Sequence, residues 1–137
     1  MAIIIDTDVV IKGEKGDFDL RGWLATLAAE EIAVAAVTVA ELWHGVERAT
    51  PPHRSRRERY VATFMDQVSI VPYTQKTALE HAGIWAELES SGKMIGMYDL
   101  IVAATAREHG STVATFNRRH FESVRGLKVT EPRISSL

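Results

Sequence analysis

The run Ile3-Ile4-Ile5-Asp6-Thr7-Asp8-Val9-Val10 limits what this chain can fold into more than any other stretch. Three consecutive isoleucines favour a strand, because β-branched side chains lose rotamer freedom in a helix and pack well on a pleated surface. Both faces of the run are apolar, so it reads as a strand covered on both sides, as in a parallel sheet between layers of helix. Asp6 then stands at the C-terminal end of the strand, the edge where ligands bind in open α/β sheets. Capping of the next helix by Asp6 or Asp8 is the structural alternative, and this stretch alone leaves both open.

Apolar segments and helical periods alternate along the rest of the chain. Leu20, Trp23, Leu24 and Leu27 fall at i, i+3, i+4 and i+7, an amphipathic helix over 17–30 with Asp17 or Asp19 near its start. A strand over 32–37 follows. Thr38 and Glu41 fit a capping box, which puts Glu41 in the first turn of a helix just beyond a strand end; plain capping is its alternative role. Pro51-Pro52 breaks this helix. Tyr60, Val61, Phe64 and Met65 belong to another, residues 68–71 to a third strand, and Thr74 caps a long helix that Ser90-Ser91-Gly92 stops. Segment 94–110 reads as a helix ended by Gly110, with Asp99 in or just before its first turn. The apolar neighbours of Asp99 imply a buried helix end, where a carboxylate needs a partner or a cation. A stabilising interaction with the helix dipole is the structural alternative. Residues 111–115 read as a fourth strand, 116–121 as a polar loop and 127–130 as an edge strand.

This order predicts an α/β fold: a three-layer α/β/α sandwich on a central, mainly parallel sheet of four to five strands, with residues 1–137 as a single domain. Strand C-termini then share one edge, where Asp6, Glu41 and Asp99 can converge and Asn117 can join them. Carboxylates so close raise one another's pKa, and a divalent cation relieves the repulsion. Oxygen donors, no cysteine and no paired histidines favour Mg²⁺ or Mn²⁺ over zinc. The implied chemistry is in-line phosphodiester hydrolysis by a metal-activated water. Charge distribution agrees: setting aside Asp6, Asp8, Glu41 and Asp99 leaves 14 of 18 acidic residues against 16 basic ones, an acidic focus on a mildly basic body. Thr7, Thr38 and Thr115 stand at the same edge, able to orient water or phosphate or to serve as cap and turn hydroxyls.

Counted from Arg48 through Arg59, there are five arginines against Glu58 alone. A solvated helix face explains such a run; arginines beside Tyr60 can also track a phosphate backbone and stack on a base. Arg54, Arg56, Arg57 and Arg118 are the candidates for contact with such a backbone. His44, His53, His81 and His109 have no ligand-like spacing, and His120 reads as structural or as facing a nucleic acid. The absence of cysteine excludes thiol catalysis, Cys-ligated zinc and disulfides. The longest uncharged apolar run is too short to span a bilayer, and Asp6 interrupts any signal-peptide core, so a cytoplasmic protein with no membrane partner is expected.

The segments around Asp6, around Glu41, over Tyr98-Asp99-Leu100-Ile101-Val102-Ala103-Ala104-Thr105-Ala106 and over Thr115-Phe116-Asn117-Arg118-Arg119-His120-Phe121 resemble the four successive signatures of PIN-domain ribonucleases. Length and spacing are similar to the VapC toxins of bacterial toxin-antitoxin pairs. The resemblance implies an endoribonuclease dependent on Mg²⁺ or Mn²⁺, acting on structured RNA such as tRNA or rRNA. It also implies a homodimer, and a VapB-type antitoxin whose C-terminal segment occludes the site. Asp6, Glu41 and Asp99 match the family's acidic metal ligands. Asp8 stands where the family more often has Asn, and Asn117 where many members have a fourth Asp, which puts a second metal in question. Two rivals are a haloacid-dehalogenase-like phosphatase, with Asp6 as nucleophile and Asp8 two residues on, and a non-catalytic partner-binding PIN module. Against the phosphatase, the late strand is followed by Asn117 and not by acids.

Overall fold

The computed structural model describes residues 2–133. Its strands are β1 (Ala2–Ile5), β2 (Glu31–Ala35), β3 (Ser69–Val71), β4 (Thr112–Ala114) and β5 (Lys128–Thr130). They form one sheet in the order β3-β2-β1-β4-β5, with every pairing parallel. β1 is central: Ile4 lies opposite Ala33 on one side and Val113 on the other. The expected parallel sandwich is therefore observed, with five strands.

The period-2 geometry of a strand sends neighbouring residues to opposite faces, and the isoleucine run fills both. Ile4 and Val113 join one core with Ile84 and Leu88 of α5 (Gln75–Ser91), Leu100 of α6 (Met97–His109) and Phe121 of α7 (Arg118–Glu122). Ile5 and Ala114 join a second core on the other face. There they meet Val9 and Val10 of α1 (Thr7–Glu14), Trp23 of α2 (Leu20–Thr26), Leu42 and Val46 of α3 (Ala36–Arg48) and Phe64 of α4 (Pro51–Met65). Burying a side chain of this size contributes about 1.5–3 kcal/mol, so a strand with both faces covered is the firmest base available for a site.

Helix ends follow recognisable local chemistry. Asp19, one of the two acids expected at the start of the second helix, caps it through Gly22 N–H at 3.0 Å. Pro51 and Pro52 start α4, where their missing N–H groups cost nothing. Thr74 caps α5 in a reciprocal box with Thr77. Gly110 ends α6 in the left-handed conformation, φ 63°, as a glycine C-cap requires.

Three expectations are revised, and one helix is added. Residues 7–14 form a helix, α1, that the β-branched residues Val9, Val10 and Ile11 conceal; burial of Val9 and Val10 overrides their weak helix preference. β2 stops at Ala35 and α3 starts at Ala36, so Thr38 lies inside the first turn and Glu41 in the second. The capping box at Thr38 does not form, because the helix has already begun. Residues 118–122 are a short helix, anchored by the fully buried Phe121, in what reads as a loop. Finally, the start of α6 is exposed, with Met97 and Tyr98 open to solvent and Asp99 half-buried.

Candidate active site

β1 lies where the chain order along the sheet reverses, between β2 and β4, and ligands gather at such switch points beyond the strand C-termini. Asp6 occupies this position, its N–H donating to Ala114 O at 3.0 Å. The residue is only 4% exposed, and its side chain caps α1 by accepting Thr7 N–H at 2.9 Å through Oδ1. Oδ2 accepts the Thr115 hydroxyl at 2.8 Å. Capping and membership of an acidic cluster are thus both true of this residue.

The other acids arrive from separate elements. Asp8, in the first turn of α1, accepts Phe116 N–H at 3.0 Å and lies 3.5 Å from the Thr115 hydroxyl. Glu41 reaches in from α3 and accepts the Thr7 hydroxyl at 2.7 Å. Asp99, from the first turn of α6, accepts His120 Nδ1–H at 2.8 Å. Thr115 is the hub, because its hydroxyl also accepts Asn117 N–H at 3.0 Å while its own N–H donates to Thr130 O.

Electrostatics join these acids into one site. Burial, reinforced by the charges of Asp8 and Asp99, raises the Asp6 carboxyl to about 7, against the lowering effect of the Thr115 and Thr7 hydrogen bonds. Burial pushes Asp8 up as well, opposed by bonds from Phe116 N–H and Asp6 and by the Lys12 charge. Glu41 is raised by burial and by Asp99, while Thr7 pulls it down. Among the described residues, no three His, Asp or Glu side chains close around a single point as a tight metal cage does. Mg²⁺ takes one or two carboxylates directly and keeps several waters. A partly buried, mutually repelling set of carboxylates, each with lone pairs beyond its protein hydrogen bond, fits such a hydrated ion.

Of the remaining candidates, Thr7 and Thr115 touch the acids. Thr38 is buried with its hydroxyl unpartnered, and the exposed Asn117 is tied to the site through its backbone. The arginines are engaged with neighbours. Arg54 pairs with Glu47 at 3.1 Å, Arg57 with Glu14 at 3.0 Å and with Gly45 O, and Arg118 with Glu122 at 3.4 Å, while Arg56 meets His53. Tyr60 turns inward and donates to Val10 O at 2.9 Å. Two clefts of about 360 and 350 Å³ share Ile11, Glu41 and His44; the first runs to Lys15, Arg48 and Arg57, and the second is flanked by Thr7 and Tyr98.

Lys12 escapes a reading of the sequence, and so does the link of His120 to Asp99. Lys12 stands over the Phe116 ring at 4.6 Å and is the cation that lowers Asp8. Its i, i+4 spacing from Asp8 is the signal, visible only once residues 7–14 are known to be helical. His120 is the partner of Asp99, and nothing in the spacing of the histidines points to that.

The chain belongs to the PIN domain family, whose model matches residues 3–127. It is similar to Ribonuclease VapC2 of Haemophilus influenzae, at 36% identity over 100 residues covering 73% of this chain and 74% of that protein. It is also similar to the tRNA(fMet)-specific endonuclease VapC of Shigella flexneri, at 30% identity over 101 residues covering 74% and 75%. A member of the VapBC family of toxin-antitoxin systems, VapBC-5 from Mycobacterium tuberculosis, superposes with a TM-score of 0.74 at 27% identity, covering 97% of this chain and 98% of that one. The phosphatase reading of Asp6 and Asp8 gives way to this match, which takes in all four acids and Asn117.

Proposed function

We propose that this protein is an endoribonuclease toxin, dependent on Mg²⁺ or Mn²⁺, that hydrolyses phosphodiester bonds in structured RNA such as tRNA or rRNA. The observation that carries the reading is the meeting of Asp6, Asp8, Glu41 and Asp99 at the switch point of the sheet, with Asp6 raised to about 7 by burial and like charge. The ribonuclease and endonuclease names of its relatives support it. Asp6, Glu41 and Asp99 would hold the ion. A bound Mg²⁺ supplies Lewis-acid polarisation of the phosphoryl group and a water of lowered pKa. The chain's own part is orientation: Thr115 and Thr7 fix Asp6 and Glu41, and Phe116 N–H fixes Asp8. The cleft that starts at Glu41 carries Lys15 and Arg48 further along, with Arg57 held by Glu14, and so offers a substrate basic groups beyond the acids.

By the same reading the protein works in the cytoplasm and pairs with a second copy. A VapB-type antitoxin neutralises it, a partner supported by its likeness to a toxin-antitoxin system. No helix among the described residues is long and apolar enough to cross a membrane. The test is cleavage of total RNA by purified protein with Mg²⁺ or Mn²⁺, beside Asp99→Asn. Cleavage by the wild type alone, abolished by a chelator, supports the proposal. Equal inertness of both proteins favours the non-catalytic binding module, and cleavage that survives chelation removes the metal.

A further inference from the structure

We propose that His120 is the positioning residue for Asp99, fixing its carboxylate so that one oxygen stays available to a divalent cation. This rests on the endoribonuclease reading above. The other three acids are held by groups close to the sheet. Asp6 accepts Thr7 N–H and the Thr115 hydroxyl, Asp8 accepts Phe116 N–H, and Glu41 accepts the Thr7 hydroxyl. Asp99 has no such support. It is the third residue of α6, in a turn that exposes Met97 and Tyr98, and its own side chain is 24% exposed. Among the described residues its one side-chain hydrogen bond is to His120, at 2.8 Å.

The geometry gives that bond a direction. A carboxylate only accepts, so Nδ1 carries the proton. The bond engages Oδ2, which leaves Oδ1 with both lone pairs. His120 is itself anchored through its backbone, since its N–H donates to Asn117 O at 3.0 Å and the next residue, Phe121, is fully buried in the core. The ring is 52% exposed, so it adds little to the core, and its place beside Asp99 is the feature that calls for a role. Outer partners of this kind orient ligating carboxylates, and their loss weakens metal affinity by about 10–100-fold.

The experiment titrates Mn²⁺ calorimetrically into the full chain and measures RNA cleavage across a range of Mn²⁺, for the wild type, His120→Ala and His120→Asn. In His120→Ala, Mn²⁺ binding weakens by about 10–100-fold. Cleavage falls at limiting Mn²⁺ and recovers in excess, with the KM for RNA and the Tm unchanged. In His120→Asn, the side-chain amide N–H takes the place of Nδ1–H and most of the Mn²⁺ affinity returns. Wild-type Mn²⁺ affinity in His120→Ala overturns the inference: a raised KM would then make His120 an RNA contact, and a lowered Tm a structural residue. If the wild type neither binds Mn²⁺ nor cleaves RNA, the endoribonuclease reading fails and takes this one with it. If the wild type does both and His120→Ala matches it, only the role of His120 is overturned.

Discussion

Asp6 makes the stability of the metal-free protein depend on pH, and the dependence can be isolated by Asp6→Asn. Its carboxyl titrates near 7 in the folded chain against an ordinary 3.8, because burial and the neighbouring acids disfavour the charged form. Between these values the folded state holds a proton that the unfolded state has released, so stability falls as pH rises. The contribution is fully present below about pH 4 and lost above about pH 7. Roughly three pKa units at about 1.4 kcal/mol each amount to about 4 kcal/mol over the whole window. From about pH 5 to about pH 8 the share is about 3 kcal/mol, since two of those three units lie in that range. The assay is urea unfolding of wild type and Asp6→Asn at both pH values with a chelator present. Titrating groups remote from Asp6 are common to both proteins and cancel, so the difference reports Asp6 together with its coupling to Asp8. The wild type should lose about 3 kcal/mol more than Asp6→Asn between the two conditions. Parallel pH dependences would show that Asp6 ionises in the folded state as freely as in water, and the electrostatic account of the cluster would be wrong.

Thr115→Val removes the hydroxyl that holds Asp6 and accepts Asn117 N–H. Urea unfolding should show a loss of about 1–3 kcal/mol. Because the Thr115 bond lowers the Asp6 pKa, the pH profile of cleavage in Thr115→Val should move to higher pH. Alanine at Arg54, Arg56 and Arg57 together tests the basic helix as an RNA-binding face. Binding of single-stranded RNA to an Asp99→Asn background should become less salt-dependent, the log–log slope falling by about 0.7 for each phosphate that the arginines neutralise in the parent protein. An unchanged slope would leave these arginines with partners inside the protein, among them Glu47, His53, Glu14 and Gly45 O.

The features legible in the sequence are those with a strong local cause. Ile3-Ile4-Ile5 announced a doubly covered strand, and it is the centre of the sheet, with Ile4 and Ile5 in opposite cores. Gly110 and Thr74 end and start helices where glycine and threonine chemistry says they should. The errors arise where tertiary packing outweighs local preference. The β-branched Val9, Val10 and Ile11 give no helix signal, yet the second core takes Val9 and Val10 from a helix. The unbroken apolar run from Ile32 to Val37 contains no mark of the strand-to-helix transition at Ala36, which shifts Glu41 from a capping position to one where Thr7 binds it. Three acids in separate segments were identifiable because a parallel sheet brings its strand ends to one edge. The hydrogen bonds that orient them were not, because Thr115 with Asp6 and His120 with Asp99 join residues 109 and 21 positions apart.

The central claim is that the acids work as one metal-dependent nuclease site. Its most direct test is the rate of RNA cleavage at saturating Mn²⁺ for Asp6→Asn, Asp99→Asn and the double variant. Residues that act as a unit are strongly non-additive, since the first removal already disables the whole. Each single variant should therefore fall to the same residual rate, and the double variant should be no slower. Losses that multiply in the double variant, or a single variant that keeps wild-type activity, would contradict the account.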